Sequence, residues 1–237
     1  MIVYVYPKWH KVSFTVIASH HIEQLRRYTK ILELDEREIH RIPSLKNAET
    51  VILHPLFYTT KLLLSRLNTV RRACKKLVAF EVADTDRISN KAVALANECD
   101  LIIVPSRFSK YAFISSGVRA KVEVVPHGVS KEFFDEKKLP QSPQLRSLLF
   151  KKSSGNYIYV LYFLMHSGFR KGADLVYTVM KEIQRRHDNV ILVVKRDINP
   201  DPYMNLLRRL RLFEVAGWLS ERELVALYDM CDVCVVP

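Results

Sequence analysis

Cysteine is scarce in this chain, at four residues in 237. A disulfide scaffold is therefore not expected, and a reducing cytosol is the default setting. No apolar run reaches the ~18 residues needed to cross a bilayer. The opening Met1 to Pro7 lacks the basic lead, long apolar stretch and small-residue exit of a secretory signal. No repeat occurs at a solenoid period. These absences exclude a secreted mini-protein, a membrane channel and a coiled coil. What is present is material for a core: 49% of residues are hydrophobic and 26% charged, which sets the chain apart from disordered sequences. At roughly 150 residues per domain, the length fits one large domain or two small ones.

Acid is also in short supply, with 25 Asp and Glu against 37 Lys and Arg, a net charge of +12. Residues up to Gly128 carry +8 of it and the remainder +4. Lys61, Arg66, Arg71, Arg72, Lys75 and Lys76 fall in one acid-free stretch where Leu63, Leu67, Val70, Cys74 and Leu77 recur at helical spacing. This Lys61–Lys76 segment has three readings: a solvated helix face, a surface for anionic membrane lipids at about 1 kcal/mol per basic residue, or a nucleic-acid contact. The last lacks interleaved exposed aromatics.

Strand-like and helix-like patterns alternate along the chain. Strands are expected at Ile2–Tyr6, Glu38–Ile42, Thr50–His54, Leu77–Phe80, Leu101–Val104 and Val122–Val125. Helices are expected at Val16–Leu32, Leu56–Lys76, Asn90–Cys99 and Arg107–Ser116, the last capped by Ser106 and closed by Gly117. Val129 to Asn156, with Pro140, Pro143 and several serines, reads as a connector that could hold a short helix at Leu145–Phe150. Alternation resumes with strands at Tyr157–Leu164, Val190–Lys195, Phe213–Ala216 and Asp232–Val236. The intervening helices are Ala173–Arg186, Tyr203–Leu212 and Glu221–Met230, the last with a Ser220/Glu223 capping box. The expectation is an α/β protein with parallel sheets covered on both faces. A buried parallel strand ending at Pro237 suggests a chain cut short within its second domain.

Several motifs meet in order: Phe80-Glu81-Val82-Ala83-Asp84, Asp100 opening a strand that ends in Pro105-Ser106, Gly117-Val118, Pro126-His127-Gly128-Val129, Arg170-Lys171-Gly172, Gly217-Trp218-Leu219, and Asp232-Val233-Cys234-Val235-Val236-Pro237. Over residues 77 to 237 this series resembles the retaining GT-B glycosyltransferases of family 4. The resemblance implies a GT-B fold of two Rossmann-like domains, with an acceptor domain at 1–128, a linker at 129–155 and a partial donor domain at 156–237. It implies a nucleotide-sugar donor, a sugar or lipid-linked acceptor, retention of configuration, and no cofactor or catalytic metal. The implied location is cytoplasmic, with membrane association where the basic segment meets lipid.

Three departures stand out. The family's acidic motif, two glutamates just beyond the final strand, falls past Pro237. The glycine pair many members carry after the first strand is replaced by Pro7-Lys8-Trp9-His10-Lys11. The usual Gly-Arg before Lys-Gly is altered around His166, so His166 or Arg170 would supply the missing cation.

The residues divide into candidates and alternatives. Lys171 and Arg170 stand at a helix start, an awkward place for two cations unless an anion binds there. Glu81 and Asp84 are catalytic or acceptor-contacting candidates; ordinary loop acids are the alternative. His127 and Gly128, at the domain junction, are donor-binding candidates; Trp218 reads as core packing, while the resemblance would put the Trp218-Leu219 backbone against the nucleobase. Asp86 and Arg87 read as a local ion pair, and His20-His21 as surface. Cys231 and Cys234 have thioredoxin-like spacing but read as buried apolar residues, since zinc would need two more ligands.

Overall fold

The computed structural model describes residues 1–9, 12–45, 48–57, 67–134, 139–165 and 168–237. They divide into two units, Met1–Gly128 and Val129–Pro237.

The first unit is a six-stranded parallel sheet in the order β2-β1-β3-β4-β5-β6. Its strands are β1 (Ile2–Tyr6), β2 (Ile31–Asp35), β3 (Thr50–Leu53), β4 (Lys76–Phe80), β5 (Leu101–Val104) and β6 (Lys121–Val124). The helices are α1 (Ser13–Leu25), α2 (Leu67–Ala73), α3 (Asn90–Ala96) and α4 (Arg107–Ser115). Near-continuous apolar strands bury both faces. Val3, Val5, Val51, Leu53, Leu77 and Ala79 join one core, while Tyr4, Tyr6 and Ile52 join the core on the opposite face. Ser106 caps α4 by accepting from the Ser109 N–H, and Gly117 follows it at φ 99°.

Three expectations fail in this unit. The helix expected over Val16–Leu32 is α1, and it stops at Leu25 so that Ile31–Asp35 can form β2. Glu38–Ile42 is no strand; it lies in a 3-10 helix, Glu36–Ser44. There the Asp35 carboxylate accepts from the Arg37 N–H, and the Glu38 carboxylate accepts from the Asp35 N–H. That reciprocal cap starts a helix one residue after β2. Of the helix expected over Leu56–Lys76, α2 is described, Lys76 opens β4, and 58–66 lie outside the described residues.

The second unit is a four-stranded parallel sheet in the order β10-β7-β8-β9. Its strands are β7 (Ile158–Leu164), β8 (Val190–Arg196), β9 (Leu212–Ala216) and β10 (Val233–Val235). Its helices are α5 (Pro143–Ser153), α6 (Ala173–Arg186), α7 (Met204–Leu207) and α8 (Glu221–Met230). Val160, Tyr162, Leu192 and Val194 meet α6 and α7 on one face; Tyr159, Leu161, Ile191 and Val193 meet α5 and α8 on the other.

The stretch expected as a connector thus carries α5, whose Leu145 and Leu148 are fully buried. Ser220 caps α8, but Glu223 does not complete the box. Its carboxylate accepts from the Gln141 and Ser142 N–H groups and the Ser142 hydroxyl, joining α8 to the start of α5. The helix expected over Tyr203–Leu212 shortens to α7 because Leu212 enters β9. The last strand, expected to be buried, is the edge of the described sheet, with Val233 and Cys234 exposed. Cys234 is therefore not a buried cysteine and Cys231 is half-buried; all four cysteines are free thiols.

Candidate functional site

Open α/β sheets bind ligands beyond the carboxyl ends of their strands, where strand order reverses. In the first unit that point lies between β1 and β3, since β2 falls on one side of β1 and β3 on the other. The loop leaving β1, without glycine, is held by acids from β2 and the helix after it. Asp35 accepts from the Lys8 and Trp9 N–H groups at 3.0 and 3.1 Å, and Trp9 Nε1 donates to Glu36 at 2.6 Å. Arg37 sits over the Trp9 ring at 5.4 Å.

Beside this loop lies a cluster the sequence did not reveal. The fully buried Tyr4 hydroxyl is 2.9 Å from His54 Nδ1 and 3.1 Å from His21 Nδ1. A hydroxyl has one proton, so Tyr4 donates to one ring and accepts from the other. Phe80 packs against both imidazoles, 4.5 Å from His21 and 5.2 Å from His54 between ring centroids. Burial, with His21 and His127 nearby, pushes the His54 pKa down to about 3. His21 is shifted down for the same reasons, burial first and then His127 and His20. The surface assignment of the His20-His21 pair thus holds for exposed His20 only.

Glu81 follows β4 and is 6% exposed. Its carboxylate accepts from the Phe57 N–H at 2.7 Å and the Val82 N–H at 2.9 Å. Burial outweighs these donors and raises its pKa to about 7. Asp84 is exposed close by, its charge adding to the Glu81 shift. Asp86 and Arg87 make no ion pair with each other; the Thr85 hydroxyl donates instead to the Arg87 carbonyl. His127 and Gly128 are exposed at the end of this unit. In the basic segment, Arg71 is paired with Asp100 at 2.8 Å and Lys75 with Glu49 at 3.1 Å, while Lys61 and Arg66 lie outside the described residues.

In the second unit, strand order reverses between β7 and β10. In the loop between β7 and α6, the Gly168 N–H donates to Asp201 at 3.0 Å, and the Tyr162 hydroxyl donates to the Lys171 carbonyl at 2.8 Å. Gly172 then takes φ 62° and opens the 14-residue α6. A Cβ at Gly172 would lie 2.7 Å from Pro237 Cβ, so glycine is required on two counts. Arg170 is exposed and Lys171 half-buried, and neither side chain has a hydrogen bond or ion pair among the described residues. Two unneutralised cations thus stand at the start of a helix, where the macrodipole is also positive. His166 lies outside the described residues.

The neighbouring β8–β9 edge holds a further residue absent from the sequence reading. Lys195 is 4% exposed, and its ammonium donates to the Gly217 carbonyl and, at 3.1 Å, to the Arg196 carbonyl. Burial shifts its pKa down. A lysine closing the apolar run Val190–Val194 is the signal that could have found it. Trp218, read as core, is 48% exposed after Gly217, with Leu219 half-buried beside it.

No helix of the described residues is long and apolar enough to cross a membrane. No protein-family model matches the chain. It is 28% identical over 238 residues to "Uncharacterized protein 356" of Sulfolobus islandicus rod-shaped virus 1, covering 98% of this chain and 65% of that protein. It is 30% identical over 171 residues to "Putative glycosyltransferase 45" of a Sulfolobus islandicus filamentous virus, covering 68% and 42%. The chain therefore spans less than two thirds of either relative. Among solved structures, an E. coli trehalose-6-phosphate protein bound with UDP-2-fluoro glucose superposes with a TM-score of 0.66 at 11% identity, over 99% of this chain and 77% of that one. The S. aureus MnaA–UDP structure gives 0.64 at 11% identity over 98% and 72%. A glycosyltransferase from Rickettsia africae gives 0.63 at 16% over 99% and 72%. These likenesses establish the fold: two parallel α/β sheets, the second smaller, matching the GT-B glycosyltransferases.

Proposed function

We propose that this chain belongs to a glycosyltransferase that moves a sugar from a nucleotide-sugar donor to an acceptor with retention of configuration, as its resemblance to family 4 implies. The observation that carries the proposal is the pair Arg170 and Lys171, unpaired among the described residues at the N-terminus of α6. In sugar transfer the nucleoside diphosphate leaves with negative charge developing on its phosphates. Fixed cations and helix-end N–H groups aimed at that charge lower the barrier without reorganising in the transition state. Lys171 and Arg170 would bind the diphosphate. The Tyr162 and Asp201 bonds would hold the loop in place, so that little ordering entropy is lost when the donor arrives. The Trp218-Leu219 segment would face the base.

The first unit would hold the acceptor at its own reversal point, near the Pro7–Trp9 loop, Glu81 and Asp84. Glu81 holds the Phe57 backbone there, and its pKa of about 7 lets it accept or give a proton near neutrality. Incubating the chain with a panel of radiolabelled nucleotide sugars tests the proposal. Release of nucleoside diphosphate with label passing to an acceptor, and loss of both in Lys171→Ala, is expected. Equal turnover by Lys171→Ala would contradict it.

A further inference from the structure

Trp9 is 51% exposed, yet it is held at three points. Its backbone N–H donates to Asp35 at 3.1 Å, its indole Nε1 donates to Glu36 at 2.6 Å, and the Arg37 guanidinium lies over the ring at 5.4 Å. Asp35 and Glu36 are both buried, so the carboxylates that fix the ring are themselves rooted in the fold. A single surface aromatic needs no explanation. This one differs because its side chain's one polar group is committed to a buried carboxylate. Its orientation is set before any ligand arrives, and little ordering entropy remains to be lost.

The position suits a ligand. Trp9 follows β1 at the carboxyl edge of the first sheet, on the β2 side of the point where strand order reverses. Many members of the family this chain resembles carry a glycine pair there, and this chain has a ring instead. Arg37 adds a cation whose Nε donates to Asp35 at 2.6 Å. Its two Nη groups, with four N–H donors between them, have no hydrogen bond or ion pair among the described residues. A flat apolar surface and a planar fork of donors thus stand side by side, both open to solvent.

We propose that Trp9 and Arg37 form a subsite for the acceptor, and that this acceptor is a sugar carrying an anionic group, a carboxylate or a phosphate. The inference rests on the acceptor reading of the first unit and adds the acceptor's chemical class. A pyranose presents C–H groups of slight positive charge on its flat face, and these pack on the electron-rich face of an indole. A carboxylate or phosphate at the rim of that sugar meets the Nη fork, whose two parallel N–H bonds match the geometry of either anion. A neutral sugar gains the ring contact alone, and a bare anion gains the fork alone.

Trp9 and Trp218 are the two tryptophans of the chain, so Trp218→Phe leaves Trp9 as the one indole fluorophore. Titrating this variant with glucose, glucuronate, glucose 6-phosphate and inorganic phosphate while following Trp9 emission tests the inference. The emission should move to shorter wavelength as sugar displaces water from the ring. At least one of the two anionic sugars should bind about fivefold or more tightly than glucose and than phosphate, the scale of an exposed charge-assisted contact. Salt at about 0.5 M should erase most of that margin. Arg37→Met should bring the anionic sugars within about twofold of glucose. Trp9→Leu in the parent chain, followed by calorimetry, should weaken all three sugars by about fivefold. Arg37→Met keeps both indole bonds and gives the reading should Trp9→Leu not fold. An anionic preference that survives in Arg37→Met overturns the inference, as does phosphate binding as tightly as glucose 6-phosphate. So does the absence of any Trp9 response to sugar while the parent still transfers label to another acceptor; each of these leaves the transfer reading standing. Absence of transfer to any acceptor overturns the transfer reading, and with it the assignment of these sugars as acceptors.

Discussion

Glu81, at the end of β4, accepts the backbone N–H of Phe57 at 2.7 Å from 24 residues earlier in the chain. One buried carboxyl thus ties together the loops that leave two neighbouring strands at the sheet's carboxyl edge. Because burial raises its pKa from 4.5 to about 7, its contribution to stability is full below pH 4.5 and is lost as pH rises to 7. The loss amounts to about 3 kcal/mol across that window. Glu81→Gln removes the dependence, so the stability difference between parent and variant should change over pH 4.5–7 by that order. Urea unfolding at pH 4.5, 6 and 8 measures it.

His54 works in the opposite direction. Its folded pKa of about 3 lies below the unfolded 6.5, so its contribution is full above pH 6.5 and lost as pH falls toward 3. Between pH 4.5 and 6.5 the two slopes oppose each other, and acid unfolding of the first unit should steepen below 4.5. His54→Gln, which keeps a partner for the Tyr4 hydroxyl, should flatten the acid limb. Circular dichroism melts at pH 3.5, 5 and 7 follow it.

Gly172→Ala forces a side chain onto φ 62° and toward Pro237. The left-handed conformation alone costs roughly 1–2 kcal/mol. The melting temperature of the second unit should fall, and nucleoside-diphosphate affinity should fall with it because the α6 start is displaced.

Glu223→Ala leaves the Gln141 and Ser142 N–H groups and the Ser142 hydroxyl without their shared acceptor. The cost should be about 1–3 kcal/mol, far more than a surface glutamate warrants. Denaturant titration of the variant against Glu98→Ala, at an exposed glutamate, separates the two cases. Burial would raise the Glu223 pKa, but bonds from Ser142 and Gln141 outweigh it and the net shift is downward. The contribution is therefore present above pH 4.5 and fades as pH falls through the lowered value.

Much of this fold was legible because each apolar run meets a clear stop. Helices α6 and α8 match their expected bounds, fixed by Gly172 before one and Ser220 before the other. Where α1 gives way to β2, Arg26-Arg27-Tyr28-Thr29 contains no glycine or proline, so the apolar pattern ran on into Leu32 and hid a strand. The Asp35/Glu38 cap was written in the sequence as an acid pair three apart, but the β-branched run behind it read as a strand. The Lys171 loop was readable as a local motif. The Tyr4–His21–His54 cluster and the Glu81–Phe57 bond were not, because only strand pairing and the packing of α1 on the sheet bring residues 17, 50 and 24 positions apart together. Glu223 was read as a local cap because its true partners lie more than 80 residues away.

The most direct test of the account is calorimetry of UDP and GDP binding to the parent and to Lys171→Ala, at low and high salt. A cation on the diphosphate predicts micromolar-range binding that weakens with salt, and a loss in Lys171→Ala of about tenfold or more, the worth of a charge-assisted bond. Equal affinity in the folded variant, or no nucleotide binding by the parent chain, would contradict it.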